Sequence, residues 1–110
     1  MTVRQLQKQL GLTVLVEHES DPKIKGCYIG DLISWAMSRV QEGDVWLTVM
    51  GNINAMAVAA LTDAACIVLT DSATLDEDAK AKAQQQGIIV LSSKKNSYHV
   101  AAKLSKVLSQ

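Results

Sequence analysis

Three short runs dominate the folding options of this chain: Val45-Trp46-Leu47-Thr48-Val49-Met50, Cys66-Ile67-Val68-Leu69-Thr70 and Ile88-Ile89-Val90-Leu91. Each is nearly all apolar and rich in β-branched or aromatic residues. A strand with one wet face alternates polar and apolar residues, and these do not alternate. They suit strands buried on both faces, as in a parallel sheet covered by helices. The intervening stretches are 15 residues (51–65) and 17 residues (71–87). A parallel return needs a crossover of a dozen or more residues, so each has room for one helix. From Val45 onward the order is therefore β-α-β-α-β-α, with right-handed crossovers.

The helical signals support this order. After Gly51-Asn52-Ile53-Asn54, a helix places Ile53, Met56, Ala57, Ala60, Leu61 and Ala64 on one face. Thr74-Leu75-Asp76-Glu77 reads as a capping box, followed by a surface helix with Leu75, Ala79 and Ala83 turned inward and Gly87 as its stop. A last helix after Ser92–Asn96 carries Val100, Ala101, Leu104, Val107 and Leu108 on its inner face. The first 44 residues add a helix, one or two strands and a second helix. Thr2-Val3-Arg4-Gln5 is a capping box and Gly11 ends that helix. Leu12–Val16 is β-rich, and an extended piece runs through Lys23–Tyr28. Asp31 is placed to cap the next helix, whose buried stripe is Ile33, Ala36, Met37 and Val40. Leu32 and Trp35 form a second apolar stripe beside it.

The chain has 110 residues, 48% of them hydrophobic, enough for one α/β domain with a core. Eleven basic and eleven acidic residues give zero net charge. That leaves no electrostatic footprint for nucleic acid or an anionic membrane. No apolar run reaches membrane-spanning length, and the N-terminus lacks a signal peptide's apolar core. Two cysteines make neither a disulfide framework nor a metal knuckle. The expectation is a soluble, reduced, cytoplasmic protein.

Catalytic signals are scarce. His18 and His99 have no partner at metal-ligand spacing, and Cys27 and Cys66 have no identifiable base. Phosphate-cradling glycine loops are absent from the sequence. Position is more informative. In a parallel α/β sheet, ligands bind beyond the carboxyl ends of the strands. The three exits here supply Gly51, Asn52, Asn54, Thr70, Asp71, Ser72 and Ser92 as candidate ligand-binding residues, with Lys94 nearby. Asn, Ser and Thr both donate and accept hydrogen bonds, and helix N-termini offer free N–H groups. The same residue types also build caps and turns. Leu32 and Trp35 are candidate interface residues, because a second apolar side on one helix points to a partner subunit.

Gly26-Cys27-Tyr28-Ile29-Gly30-Asp31-Leu32-Ile33-Ser34-Trp35 resembles a segment of DRTGG domains that reads Gly-x-x-[Val/Ile]-[Gly/Ser]-Asp/Ala-hydrophobic. Val45–Asn54, the strand Cys66–Thr70 and Gln86–Ser92 resemble the centre and last strand of that family, in the same order over essentially the whole chain. The resemblance implies a regulatory module. Such domains sit beside CBS domains in some pyrophosphatases and in one group of phosphate acetyltransferases. They are similar to the N-terminal domain of HPr kinase/phosphorylase and also occur alone. Where the family reads Gly-Asp-Arg, this chain has Gly51-Asn52-Ile53. Where it reads Thr-Gly-Gly, this chain has Thr70-Asp71-Ser72. Only Gly51 and Thr70 carry over, and an anion held through the lost arginine is in doubt.

The resulting expectation is a non-catalytic regulatory or ligand-sensing module, a homodimer that takes a small polar, nucleotide-like ligand at the strand exits or modulates a partner enzyme. The alternatives are an interaction module without a small ligand and a small enzyme using Asp71 or Asp31. The ligand, and any cofactor, stay open.

Overall fold

A computed structural model describes residues 1–109 of the chain. Its elements are α1 (Val3–Leu10), β1 (Thr13–Val16), β2 (Gly26–Ile29), α2 (Ile33–Arg39), β3 (Asp44–Thr48), α3 (Ile53–Thr62), β4 (Cys66–Leu69), α4 (Glu77–Gln86), β5 (Val90–Ser92) and α5 (Ser97–Leu108). One five-stranded sheet runs in the order β1-β5-β4-β3-β2. The pairs β2–β3, β3–β4 and β4–β5 are parallel, as the apolar runs require. The edge strand β1 pairs antiparallel with β5 through a register shift between Val14 and Val16.

Parallel strands that follow one another in space need crossovers of one hand, so α2, α3 and α4 fall on the same face. Between them and the sheet lies one core cluster around Trp46, Ile67, Leu69, Met56, Ala79 and Ala83. The other face carries Val45, Leu47, Cys66, Val68 and Leu91, covered by α1 through Val3 and Leu6 and by α5 through Val100 and Leu104. Trp46 is the largest fully buried side chain, and its indole N–H donates to the Gly30 carbonyl at 3.0 Å. A buried tryptophan needs such a partner.

Several local expectations are corrected. Asp31 does not cap α2; the capping position is Leu32, without a side-chain bond. The Thr74 capping box does not form, and α4 starts after Asp76. The Asp76 N–H is taken by the Gly51 carbonyl at 2.8 Å, which holds the preceding segment out of the helix. In α3 the buried residues are Ala55, Met56, Val58 and Ala59, whereas Ile53 is exposed and Leu61 is 72% exposed. Met37 in α2 faces solvent. The extended piece before Tyr28 is a strand only from Gly26, with an isolated bridge between Lys23 and Thr2. The Thr2 capping box forms in full. Gly87 ends α4 in a left-handed conformation (φ 71°), which costs a glycine little.

Candidate ligand site at the strand exits

The parallel register sets the carboxyl ends of β3, β4 and β5 side by side on one edge of the sheet. From these ends the chain enters 49–52, 70–76 and 93–96 before α3, α4 and α5 begin. Hydrogen bonds tie neighbouring exits together. Asp71 N–H donates to the Lys95 carbonyl at 2.8 Å, and Ser72 N–H donates to the Ser93 carbonyl at 3.0 Å. Ala73 N–H closes back on the Thr70 carbonyl at 3.0 Å, making a tight turn. Asp71 and Ser72 both sit at φ 56°, the left-handed region that non-glycine residues rarely enter. They occupy the two positions where the resemblance places glycines.

The candidate residues divide by what they already do. Thr70 is fully buried, and its hydroxyl lies 2.8 Å from the Ser97 hydroxyl, joining the exit of β4 to the start of α5. Gly51 is buried under the 74–76 segment; a β-carbon there would lie 1.9 Å from the Thr74 carbonyl oxygen. The Asn52 side-chain oxygen caps α3 by accepting from Ala55 N–H at 2.9 Å, leaving the amide NH₂ for other partners. Asn54, Asp71 and Ser72 are exposed and Ser92 is half-buried. Among the described residues, the side chains of these four hold no hydrogen bond to the rest of the chain. Lys94 and Lys95 stand exposed beside them. The three exits thus carry one amide, two hydroxyls and one carboxylate free of bonds to the rest of the chain, with two exposed lysines in the segment after β5.

Sequence reasoning missed the role of Asp31. Its carboxylate crosses to the exit of β3 and accepts from the Thr48 hydroxyl at 2.8 Å and the Val49 N–H at 2.9 Å. It therefore serves as a brace between exits. The signal was a buried-run threonine, Thr48, that needed an acceptor. The elements this brace joins carry exposed apolar side chains: Ile29, Leu32 (56% exposed), Trp35 (55% exposed), Val49 and Ile53. The Arg39 guanidinium stacks over the Trp35 ring at 4.0 Å.

Two surface hollows lie away from the exits. One, of about 510 Å³, opens between α1 and β1; the other, of about 500 Å³, lies near Gly43 and Gly87 at the opposite edge of the sheet. Among the described residues, no group of three or more His, Cys, Asp or Glu is gathered to hold a metal ion. His18 stands in the loop after β1, with Nδ1 3.0 Å from the Ser20 hydroxyl, and His99 is exposed on α5. Cys27 is exposed on the edge strand β2, yet partial desolvation by its neighbours, with the Asp44 carboxylate adding to it, pushes its thiol up to about 11. Burial first, and Cys27 second, push Cys66 up to about 12. Both stay protonated at neutral pH and make poor nucleophiles. Among the described residues, no helix is long and apolar enough to cross a membrane.

Comparison with known proteins agrees with this architecture. The family model of the DRTGG domain matches residues 5–107. No curated protein matches the chain. Among solved structures, the chain is similar to the CBS and DRTGG domains of the regulatory region of Clostridium perfringens pyrophosphatase, complexed with its activator diadenosine tetraphosphate. The two share 12% sequence identity and a TM-score of 0.75, over 92% of this chain and 44% of that one. The likeness is one of fold, and this chain spans less than half of that structure's length.

Proposed function

The chain belongs to the DRTGG domain family, and on that premise we propose that it is a non-catalytic regulatory module that senses a small polar ligand at the strand exits. The observation that carries this reading is the set of side chains at the exits free of bonds to the rest of the chain, Asn54, Asp71, Ser72 and Ser92, with the backbone of Asp71 and Ser72 tied to the neighbouring exit. A rigid frame with unsatisfied donors and acceptors binds without first paying to order itself. Asn52 adds the free end of its amide, and Gly51 and Thr70 shape the frame. The Asp71 carboxylate disfavours a bare polyphosphate, and Lys94 offsets it for a ligand of mixed charge. A nucleoside-bearing compound fits this balance; the activator bound by the similar pyrophosphatase region, diadenosine tetraphosphate, carries two nucleosides.

The module works as a homodimer, with Leu32 and Trp35 in the contact, and passes its state to a partner enzyme. The free thiols suit a reducing cytoplasm. A second reading, an interaction module with no small ligand, is favoured by the exposed Ile29, Leu32 and Trp35 flank. A thermal-shift screen with nucleosides, nucleotides and phosphometabolites separates the two, because a ligand that binds only the folded state raises the melting temperature. A rise lost in the Asn54→Ala and Asp71→Asn variants supports ligand sensing. A panel without any shift, with association lost in Trp35→Ala, supports the interaction module.

A further inference from the structure

The hollow between α1 and β1 is a place where the helical cover fails. Val14 pairs with Leu91 across the β1–β5 ladder, and Leu91 belongs to the core under α1 and α5. Yet Val14 is 37% exposed. It lies on the floor of the hollow with Ile89 and Leu91. The ends of the hollow differ in charge, and two contacts fix which end is which. β1 returns alongside α1: the Gln7 side-chain amide donates to the Leu12 carbonyl at 2.7 Å, and Arg4 Nη2 donates to the carbonyls of His18 and Glu19 at 3.2 and 3.1 Å. Lys8 therefore lies at the Leu12 end. Among the described residues its ammonium has no ion pair or hydrogen bond. Glu17 and Glu19 line the other end with Arg4. One arginine against two glutamates leaves that end with one net negative charge, and the Lys8 end with one net positive charge.

We propose that this groove binds an elongated zwitterion with an apolar middle, of the class of a short apolar peptide with free ends. Its carboxylate meets Lys8, its ammonium meets Glu17 and Glu19, and its apolar body covers Val14 and Leu91. A dianionic phosphate would face two carboxylates at one end, whereas a zwitterion meets opposite charge at both. This site is separate from the strand exits and does not rest on their having a ligand.

The test uses the whole chain and the tripeptide Leu-Ala-Leu in three forms: free, N-acetylated and C-amidated. Amide shifts in NMR report the location and the affinity. The free peptide is expected to move Val14 and Leu91 and to leave Asn54 and Asp71 unmoved. Blocking either end should weaken binding at least tenfold. Lys8→Gln, an exposed change that leaves the fold intact, should make the free and amidated forms equal. Three results overturn the proposal: no shift with millimolar free peptide, equal binding of blocked and free forms, or shifts at the strand exits in place of the groove.

Discussion

Asp31 reaches from the exit of β2 to the exit of β3, where its carboxylate accepts the hydroxyl of Thr48 at 2.8 Å. The same oxygen takes the Val49 N–H. Thr48 is fully buried, so it has no water to fall back on. Asp31→Ala should lower stability by about 1.5–3 kcal/mol, the range for losing hydrogen bonds to a charged group. Asp31→Asn keeps an acceptor and should cost less. Urea unfolding midpoints of the three proteins check the order, and equal midpoints for Ala and wild type would remove the brace.

The Thr70–Ala73 turn holds two left-handed residues without glycine. Ser72→Gly relieves a steric cost of about 1–2 kcal/mol, partly offset by about 0.4–1 kcal/mol from a freer unfolded chain. A net gain of about 0–1.6 kcal/mol is expected. Gly51→Ala should do the reverse and cost about 3 kcal/mol or more, since a methyl there meets the Thr74 carbonyl and the backbone must move. Chemical denaturation of both variants reads the two signs; a Ser72→Gly variant less stable than wild type would contradict the account of the turn.

Cys27 and Cys66 lie in register on either side of Val45. Two strand spacings separate them, about 9.6 Å, beyond the roughly 7 Å reach of a disulfide. Oxidation should leave the chain uncrosslinked, as intact mass will read. Both thiols titrate above their ordinary value of 9.0 in the folded chain, to about 11 and about 12. The folded state keeps protons that the unfolded state has lost. The contribution is complete below pH 9 and falls away as the pH climbs through these values. Alkylation of the native protein should accordingly be slow at pH 8 and speed up toward pH 11. Fast modification of Cys27 at pH 7 would contradict its raised pKa.

The strand runs were legible because burial on both faces removes alternation, and the short length and β-branched content of Val45–Thr48 and Cys66–Leu69 favour strand over a buried helix. The buried face of α3 was not. Ile53, Ala55, Met56, Ala57, Val58, Ala59, Ala60 and Leu61 are apolar all round, so periodicity could not choose a side, and packing on α2 and α4 chose Ala55 and Ala59. The antiparallel pairing of β1 was equally silent, since four residues carry no mark of direction. At the exits, residue types alone could not separate an acid that caps from an acid that braces, and Asp31 was misplaced for that reason. Nor could they say that Thr70 is spent on Ser97 while Asp71 is free. Those distinctions are made by neighbours far apart in sequence.

Trp35 and Leu32 are each more than half exposed on the outer side of α2. If they form the contact between two copies, sedimentation should find a dimer at tens of micromolar protein, on the order expected of a standard interface. Trp35→Ala should weaken it at least tenfold, as removal of a central tryptophan commonly does. Trp46 is already buried, so a blue shift of tryptophan emission with rising concentration would report on Trp35 alone. A wild-type monomer at these concentrations would remove the dimer.

The most direct test of ligand sensing at the exits is an amide-resolved NMR titration of the chain with the nucleoside-bearing compounds that raise its melting temperature. Shifts should centre on Asn54, Asp71, Ser72 and Ser92, and Asn54→Ala should weaken binding by about 1–3 kcal/mol if it leaves a buried partner unmet. Shifts confined to the opposite edge of the sheet, around Gly43 and Gly87, or no shift with any compound, would contradict it.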